Sequence, residues 1–258
     1  MRRVPVRLGV FTAILAAVFF AAYAIGGIGD ADGDATVAIG AAVAPVGSAG
    51  GYTLVIDAYA LADDGPYYGV HLEHHGGMAA TEFEAANGAR IHAFVMRPDL
   101  SEFHHLTPDV ADNGRITIPV PARGAWHIVL TFVPSGGSPI TLAQEVTDSV
   151  PYAEQALPDA TDTVTVDGLQ VTRDGWRFTV TDANGATAQG LETYLGRGAH
   201  LVAIRTSDLA VSYLATTGGR LGAYDLGAGV TSAGTYRVFL QFGRHDEVVT
   251  VPMTVVVP

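Results

Sequence analysis

Apolar and polar residues alternate with a period of two along several short runs of the chain. In "WHIVLTF" one face carries Trp126, Ile128, Leu130 and Phe132, and the other carries His127, Val129 and Thr131. The run "YRVFLQF" repeats this, with Tyr236, Val238, Leu240 and Phe242 set against Arg237, Phe239 and Gln241. Successive side chains of a strand point to opposite faces, so each run predicts a strand with one face on a core. The 31 glycines and 13 prolines lie between such runs and supply tight turns. Long amphipathic helices are missing from the pattern, which predicts an all-β chain of antiparallel sheets.

The pattern occurs twice. "GARIHAFVMRPDLSEFHHL" aligns with "RGAHLVAIRTSDLAVSYLA", placing His92 on His200, Arg97 on Arg205 and Asp99-Leu100 on Asp208-Leu209. Further on, "GAWHIVLTFVPSGG" aligns with "GTYRVFLQFGRHDE", placing Trp126 on Tyr236 and Phe132 on Phe242. The duplication predicts two tandem immunoglobulin-like β-sandwich domains, at residues 51–148 and 163–258, joined by a proline-rich and acidic linker at 149–162. Trp126 and Tyr236 each open a strand and read as aromatic corners that pack and bond back to the chain. Residues 30–50, small and aperiodic, read as a flexible tether.

The amino terminus changes the picture. "MRRVPVR" is cationic, and residues 8–29 then run without a charged side chain, enough for a helix across roughly 30 Å of hydrocarbon. Residues 1–29 therefore read as a membrane anchor or, through Ala22-Tyr23-Ala24, as a signal peptide. Arginines ahead of the apolar run place the chain beyond residue 30 outside the cytoplasmic membrane. The formal net charge is −12 and all 14 basic residues are arginine, a balance that disfavours nucleic acid and attracts cations. With no cysteine the chain has no disulfide and no thiolate ligand. The sequence carries no nucleophile elbow, phosphate-binding loop, zincin helix or dinucleotide fingerprint, and the expectation is a binding protein rather than an enzyme.

The ordered set of anchor, tether, "FVMRPDLSEFHHLTP", "GAWHIVLTFVPSGGSPITL", "LETYLGRGAHLVAIRTSDLA" and "AGTYRVFLQF" resembles a group of membrane-anchored, exported proteins of the actinobacterial type. That group has two tandem immunoglobulin-like β-sandwich domains and is loosely described as associated with heavy metals or copper. The resemblance implies an exported two-domain binding protein. Relatives carry His-x-His-Pro after the "DL" of each repeat. This chain has His105-Leu106-Thr107-Pro108 in the first repeat and Tyr213-Leu214-Ala215-Thr216 in the second.

Histidines concentrate in the first repeat. A tight hairpin centred on Pro98-Asp99 would set His92 opposite His105, Phe94 opposite Phe103 and Met96 opposite Ser101. Opposed side chains have Cβ atoms about 4.5–5.5 Å apart, near enough for two imidazoles to share one ion. His104 then falls on the other face. Further ligands are sought in His71 and His75 of "YYGVHLEHHGGM" and in Met96, since imidazole with thioether suits copper. The candidate set is thus His92, His105, His71, His75 and Met96, with copper as the metal. Beside it stands a plainer reading, in which His92 is a core histidine bonded to a backbone carbonyl, His127 faces solvent, and the chain is a protein-interaction or structural module.

Overall fold

The computed structural model describes residues 39–43, 46–63, 65–74, 76–148, 150–216 and 220–258. The expected membrane segment lies outside the described residues, and so does His75. Among the described residues no helix is long and apolar enough to cross a membrane.

The chain is all-β. Its first part contributes β1 (Ile39–Val43), β2 (Ser48–Ala49), β3 (Tyr52–Ala62), β4 (Gly65–His74), β5 (Met78–Ala79), β6 (Phe83–Glu84), β7 (Ile91–Met96), β8 (Phe103–Leu106), β9 (Ile116–Pro119), β10 (Trp126–Pro134) and β11 (Ile140–Val146). The second part adds β12 (Thr163–Val166), β13 (Leu169–Asp174), β14 (Arg177–Thr181), β15 (Leu191–Glu192), β16 (His200–Arg205), β17 (Val211–Ala215), β18 (Ala223–Asp225), β19 (Gly234–Arg244) and β20 (Glu247–Val257). Residues 39–43 and 48–49, inside the expected tether, are strands: β1 pairs with β17 and β2 with β3.

Among the described residues these form four antiparallel sheets. One orders β2-β3-β4-β5 with β9 on β4, and it faces β11-β10-β7-β8, to which β6 adds on β10. Between them lies a core of Leu54, Val70, Leu72, Ile91, Ala93, Val95, Ile118, Trp126, Ile128, Leu130 and Phe132. The second pair, β12-β13-β14-β18 against β1-β17-β16-β19-β15 with β20 on β19, encloses Val171, Phe178, Val180, Leu201, Ala203, Tyr236, Val238, Leu240 and Phe242. The alternating faces read from β10 and β19 are the faces that fill these cores. Trp126 donates its indole N–H to the Ala122 carbonyl at 2.8 Å, and Tyr236 donates its hydroxyl to the Ser232 carbonyl at 3.0 Å. Both aromatic corners therefore close on the residue four positions upstream.

The opposite faces of the two central sheets are not wet. Phe94, Met96, Val129 and Ala143 of the first part meet Val202, Ile204, Val211, Tyr213 and Phe239 of the second in a third apolar cluster. Phe103 stacks on Phe239 with ring centroids 4.1 Å apart. Strands β7 and β16 are consequently buried on both sides, and residues 36–258 form one compact unit. The equivalent residues Leu100 and Leu209 flank this cluster, both at positive φ (58° and 55°). The same face is used twice, as in a twofold dimer written into one chain.

Candidate functional site

Strands β7 and β8 are joined by a wider turn than the sequence suggests. Arg97 N–H donates to the Glu102 carbonyl at 3.0 Å, and Leu100 N–H to the Arg97 carbonyl at 2.9 Å. Asp99 holds the turn through Ser101, and also accepts from the Gln155 N–H of the linker at 2.7 Å. The register moves by two: Phe94 faces His105 and Met96 faces Phe103. A slip of two residues preserves the face, whereas a slip of one would reverse it. His105 therefore lies diagonal to His92, on the same side of the sheet, and the rings still meet. His92 Nδ1 and His105 Nε2 are 3.0 Å apart.

These rings lie at the junction of the two sheet pairs. His92 and His200 are 2% and 0% exposed, and both belong to the junction face of their strands. Each is pinned in the same manner. His92 Nε2 donates to the Ala86 carbonyl at 2.8 Å, and His200 Nε2 to the Tyr194 carbonyl at 2.8 Å. Those carbonyls belong to matching tight turns, Asn87-Gly88 and Leu195-Gly196, whose central residues all have positive φ. Within the second part, Tyr213 donates its hydroxyl to His200 Nδ1 at 2.7 Å, and across the junction it stands 3.4 Å from His92 Nδ1. His105 Nδ1 meets Gln241 Oε1 at 2.7 Å, while Gln241 Nε2 donates to Thr250 Oγ1 at 3.0 Å.

Hydrogen positions follow from the partners. A carbonyl oxygen only accepts, so Nε2 of His92, Nε2 of His200 and Nδ1 of His105 each carry a hydrogen. In neutral rings the remaining nitrogens are bare. His200 Nδ1 is satisfied by the Tyr213 hydroxyl, whose single hydrogen is thereby used. His92 Nδ1 faces His105 Nε2 at 3.0 Å and the Tyr213 hydroxyl at 3.4 Å. Protonation is opposed by the surroundings: burial first, then the neighbouring His92, push His105 down to about 3, against the opposing pull of Gln241. Burial likewise pushes His200 down to about 4, although the Tyr194 carbonyl favours its charged form.

Two donors of one ion at about 2.0–2.1 Å and 3.0 Å from one another subtend about 95° at the metal, and opening to about 3.3 Å gives a tetrahedral angle. Each of the three imidazoles gives its one N–H to an amide oxygen, the outer contact that fixes the tautomer of a metal-ligating histidine. Among the described residues no group of three or more His, Cys, Asp or Glu side chains is arranged to hold a metal. The fit to an ion thus depends on the imidazole pair and on donors of other types.

The remaining expected ligands do not join this pair. His71 shares β4 with Leu72 and Val70 but has the opposite parity, so it faces away from the first core on the outermost sheet. There it pairs with Asp57 at 2.7 Å and Glu73 at 3.4 Å. The thickness of a whole sheet pair separates it from His92, about 10 Å between the sheets alone. Met96 shares the junction face with His92 but stands four residues further along β7, about 13 Å away by strand rise, and packs in the apolar cluster. His104 falls on the opposite face, as expected, and meets Glu102 at 3.1 Å. His127 is half-buried rather than solvent-facing, and burial lowers its pKa. His92 makes the carbonyl bond of the plainer reading with one nitrogen and turns the other to His105.

His200, Tyr213 and Gln241 are absent from the sequence-based candidates. One signal could have found them: "IHAFVM" and "HLVAI" are apolar on both faces, which marks a strand covered on both sides. His92 and His200 occupy equivalent places in the repeat, so a shared face brings both to one junction.

Comparisons with known proteins are sparse. A family described as a domain of unknown function (DUF8832) matches residues 159–258, which hold every strand of the second sheet pair except β1. No curated protein matches the chain. Among solved structures, the crystal structure of chicken CNTN1 FN1-FN3 domains is similar at 10% identity, over 83% of this chain and 69% of that one, with a TM-score of 0.22.

Proposed function

We propose that the chain is an exported binding protein, held at the outer side of the cytoplasmic membrane through residues 8–29, whose two sheet pairs are tandem immunoglobulin-like domains. Its proposed cargo is a transition-metal ion, copper by ligand type, held between His92 Nδ1 and His105 Nε2. The observation that carries this reading is the convergence of two ring nitrogens, His92 Nδ1 and His105 Nε2, 3.0 Å apart, in rings held from their other nitrogens by the Ala86 carbonyl and the Gln241 amide oxygen. Burial opposes protonation of His105 near neutral pH, and neutral imidazole suits copper and zinc alike. The formal charge of −12 favours approach of any cation. The partly exposed His105 on edge strand β8 offers a way in.

A second reading rests on Gln241. With its amide turned about, Nε2 would donate to His105 Nδ1, His105 Nε2 would donate to His92 Nδ1, and the Thr250 hydroxyl would serve the amide oxygen. The network would then be complete without a cation, and the cluster would be a polar lock joining the two copies. Equilibrium dialysis of the full chain against micromolar copper separates the two readings. The metal reading predicts one equivalent bound, lost in His92→Ala and in His105→Ala and kept in His71→Ala. Absence of uptake by the unaltered chain supports the lock.

A further inference from the structure

Strands β8 and β17 are equivalents in the two copies. By register, Met96 of β7 faces Phe103 of β8 as Ile204 of β16 faces Val211 of β17. The pair next to each turn is hydrogen-bonded: Arg97 N–H donates to the Glu102 carbonyl at 3.0 Å, and Arg205 N–H to the Ala210 carbonyl at 2.9 Å. Backbone groups that point toward one neighbour and then the other alternate along an antiparallel strand. The N–H and C=O groups of Phe103 and His105 therefore point away from β7, and those of Val211 and Tyr213 point away from β16.

What meets these groups differs between the copies. Strand β1 lies antiparallel on β17 and pairs with the same two residues, Ile39 with Tyr213 and Val43 with Val211. All five residues of β17 are buried. Among the described residues no strand pairs with the outer edge of β8, and its four residues are all partly exposed. Bare edges are commonly guarded by proline, charge or a bulge. The sequence of β8, Phe-His-His-Leu, contains no proline and no Asp, Glu, Lys or Arg, and its register with β7 has no bulge.

We propose that the outer edge of β8 is a docking site for an extended segment of a partner protein, which adds antiparallel to the sheet as β1 adds to β17. The chemistry of the partner is read from the segment that the equivalent edge takes. Residues 39–43, Ile-Gly-Ala-Ala-Val, are uncharged, with small residues between two β-branched ends. Strand addition draws its affinity from main-chain hydrogen bonds, while alternate side chains set the choice of partner. The chain's own β1 is engaged on β17, so the segment comes from another molecule. The site is made of backbone groups and stands whether or not His92 and His105 hold an ion.

The test adds a synthetic peptide of residues 37–44, VAIGAAVA, to the metal-free full chain and follows amide hydrogen exchange by NMR. The amides of Phe103 and His105 are expected to exchange rapidly in the free chain. They should slow about tenfold when the peptide stands at about ten times its dissociation constant. Those of Val211 and Tyr213, already covered by β1, should not change. A peptide carrying both Ala41→Pro and Ala42→Pro loses an N–H from each edge of the strand and should give no protection. Unchanged exchange at Phe103 and His105 with millimolar peptide would overturn the proposal, and so would slowing confined to Val211 and Tyr213. Slow exchange at Phe103 and His105 before peptide is added would overturn it too, and loss of that protection on dilution would make a second copy of the chain the occupant.

Discussion

The first copy brings His92 and His105 to the junction, and the second brings His200 and Tyr213 to equivalent places. Replacing one imidazole by a phenol changes the hydrogen count. A phenol has one hydrogen to give, and Tyr213 gives it to His200. The second copy therefore pairs phenol with imidazole, while the first pairs two imidazole nitrogens 3.0 Å apart. The two similar faces thus differ in the chemistry they bring to the junction, and the proposed cation site rests on the side with two imidazoles. The same comparison appears in the carbonyl partners. Gln241 on β19 corresponds to Thr131 on β10, and each meets a threonine of the next strand, Thr250 or Thr141. Only the longer glutamine reaches across to His105.

Three changes probe how far the copies are alike. The largest effect is expected at the apolar face they share. Phe94 is fully buried beside Tyr213, with ring centroids 5.2 Å apart, and Phe94→Ala should cost about 3–5 kcal/mol in urea unfolding. Its counterpart Val202→Ala removes a smaller side chain and should cost less.

Next comes acid. His105 and His200 are held neutral in the fold, down to about 3 and about 4, while in the unfolded chain they protonate near 6.5. Below about pH 6.5 the unfolded state binds more protons, so stability falls as pH drops from there toward about 4 and then 3. The loss should be on the order of a few kcal/mol in metal-free protein. Replacing both residues by phenylalanine should flatten unfolding curves across that window.

The smallest difference separates two glycines. Gly88 and Gly196 hold the same place in their turns, with φ of 87° and 73°. A Cβ on Gly88 would stand 2.5 Å from the Leu195 carbonyl oxygen, in the matching turn of the other copy, whereas nothing lies within 4 Å of one on Gly196. Gly196→Ala should cost only the conformational strain, about 1–3 kcal/mol. Gly88→Ala should cost about 1–3 kcal/mol more, because the two turns must part. Paired thermal melts measure the difference.

Much of this arrangement is readable from the chain. The period-two runs identify the core faces of β10 and β19, and the repeat identifies two copies. The pairing of His92 with His105 survives a difference of two residues in register, since an even slip keeps both rings on one face. The difference arises in the turn: Leu100 adopts a positive φ that favours glycine, and leucine gives no sign of it. His71 falls outside the site for another reason. Histidines gathered in a sequence window look like one ligand set, yet β4 and β7 belong to opposite sheets and their histidines face outward on opposite sides. The junction is hardest to read, because a face made of His, Phe and Met does not announce whether solvent or a second copy covers it. Polar residues such as Arg237 and Gln241 on β19, 7% and 4% exposed, resemble a wet face and are buried against the partner sheet.

The proposed cation binding at the junction depends on which nitrogen of His105 carries the hydrogen. Long-range proton–nitrogen NMR of the imidazoles in the metal-free full chain at neutral pH reads this directly. The prediction is a neutral Nδ1–H form for His105, with Nε2–H forms for His92 and His200. A neutral Nε2–H form at His105 would place that hydrogen between the two rings, complete the network without an ion, and contradict the proposed site.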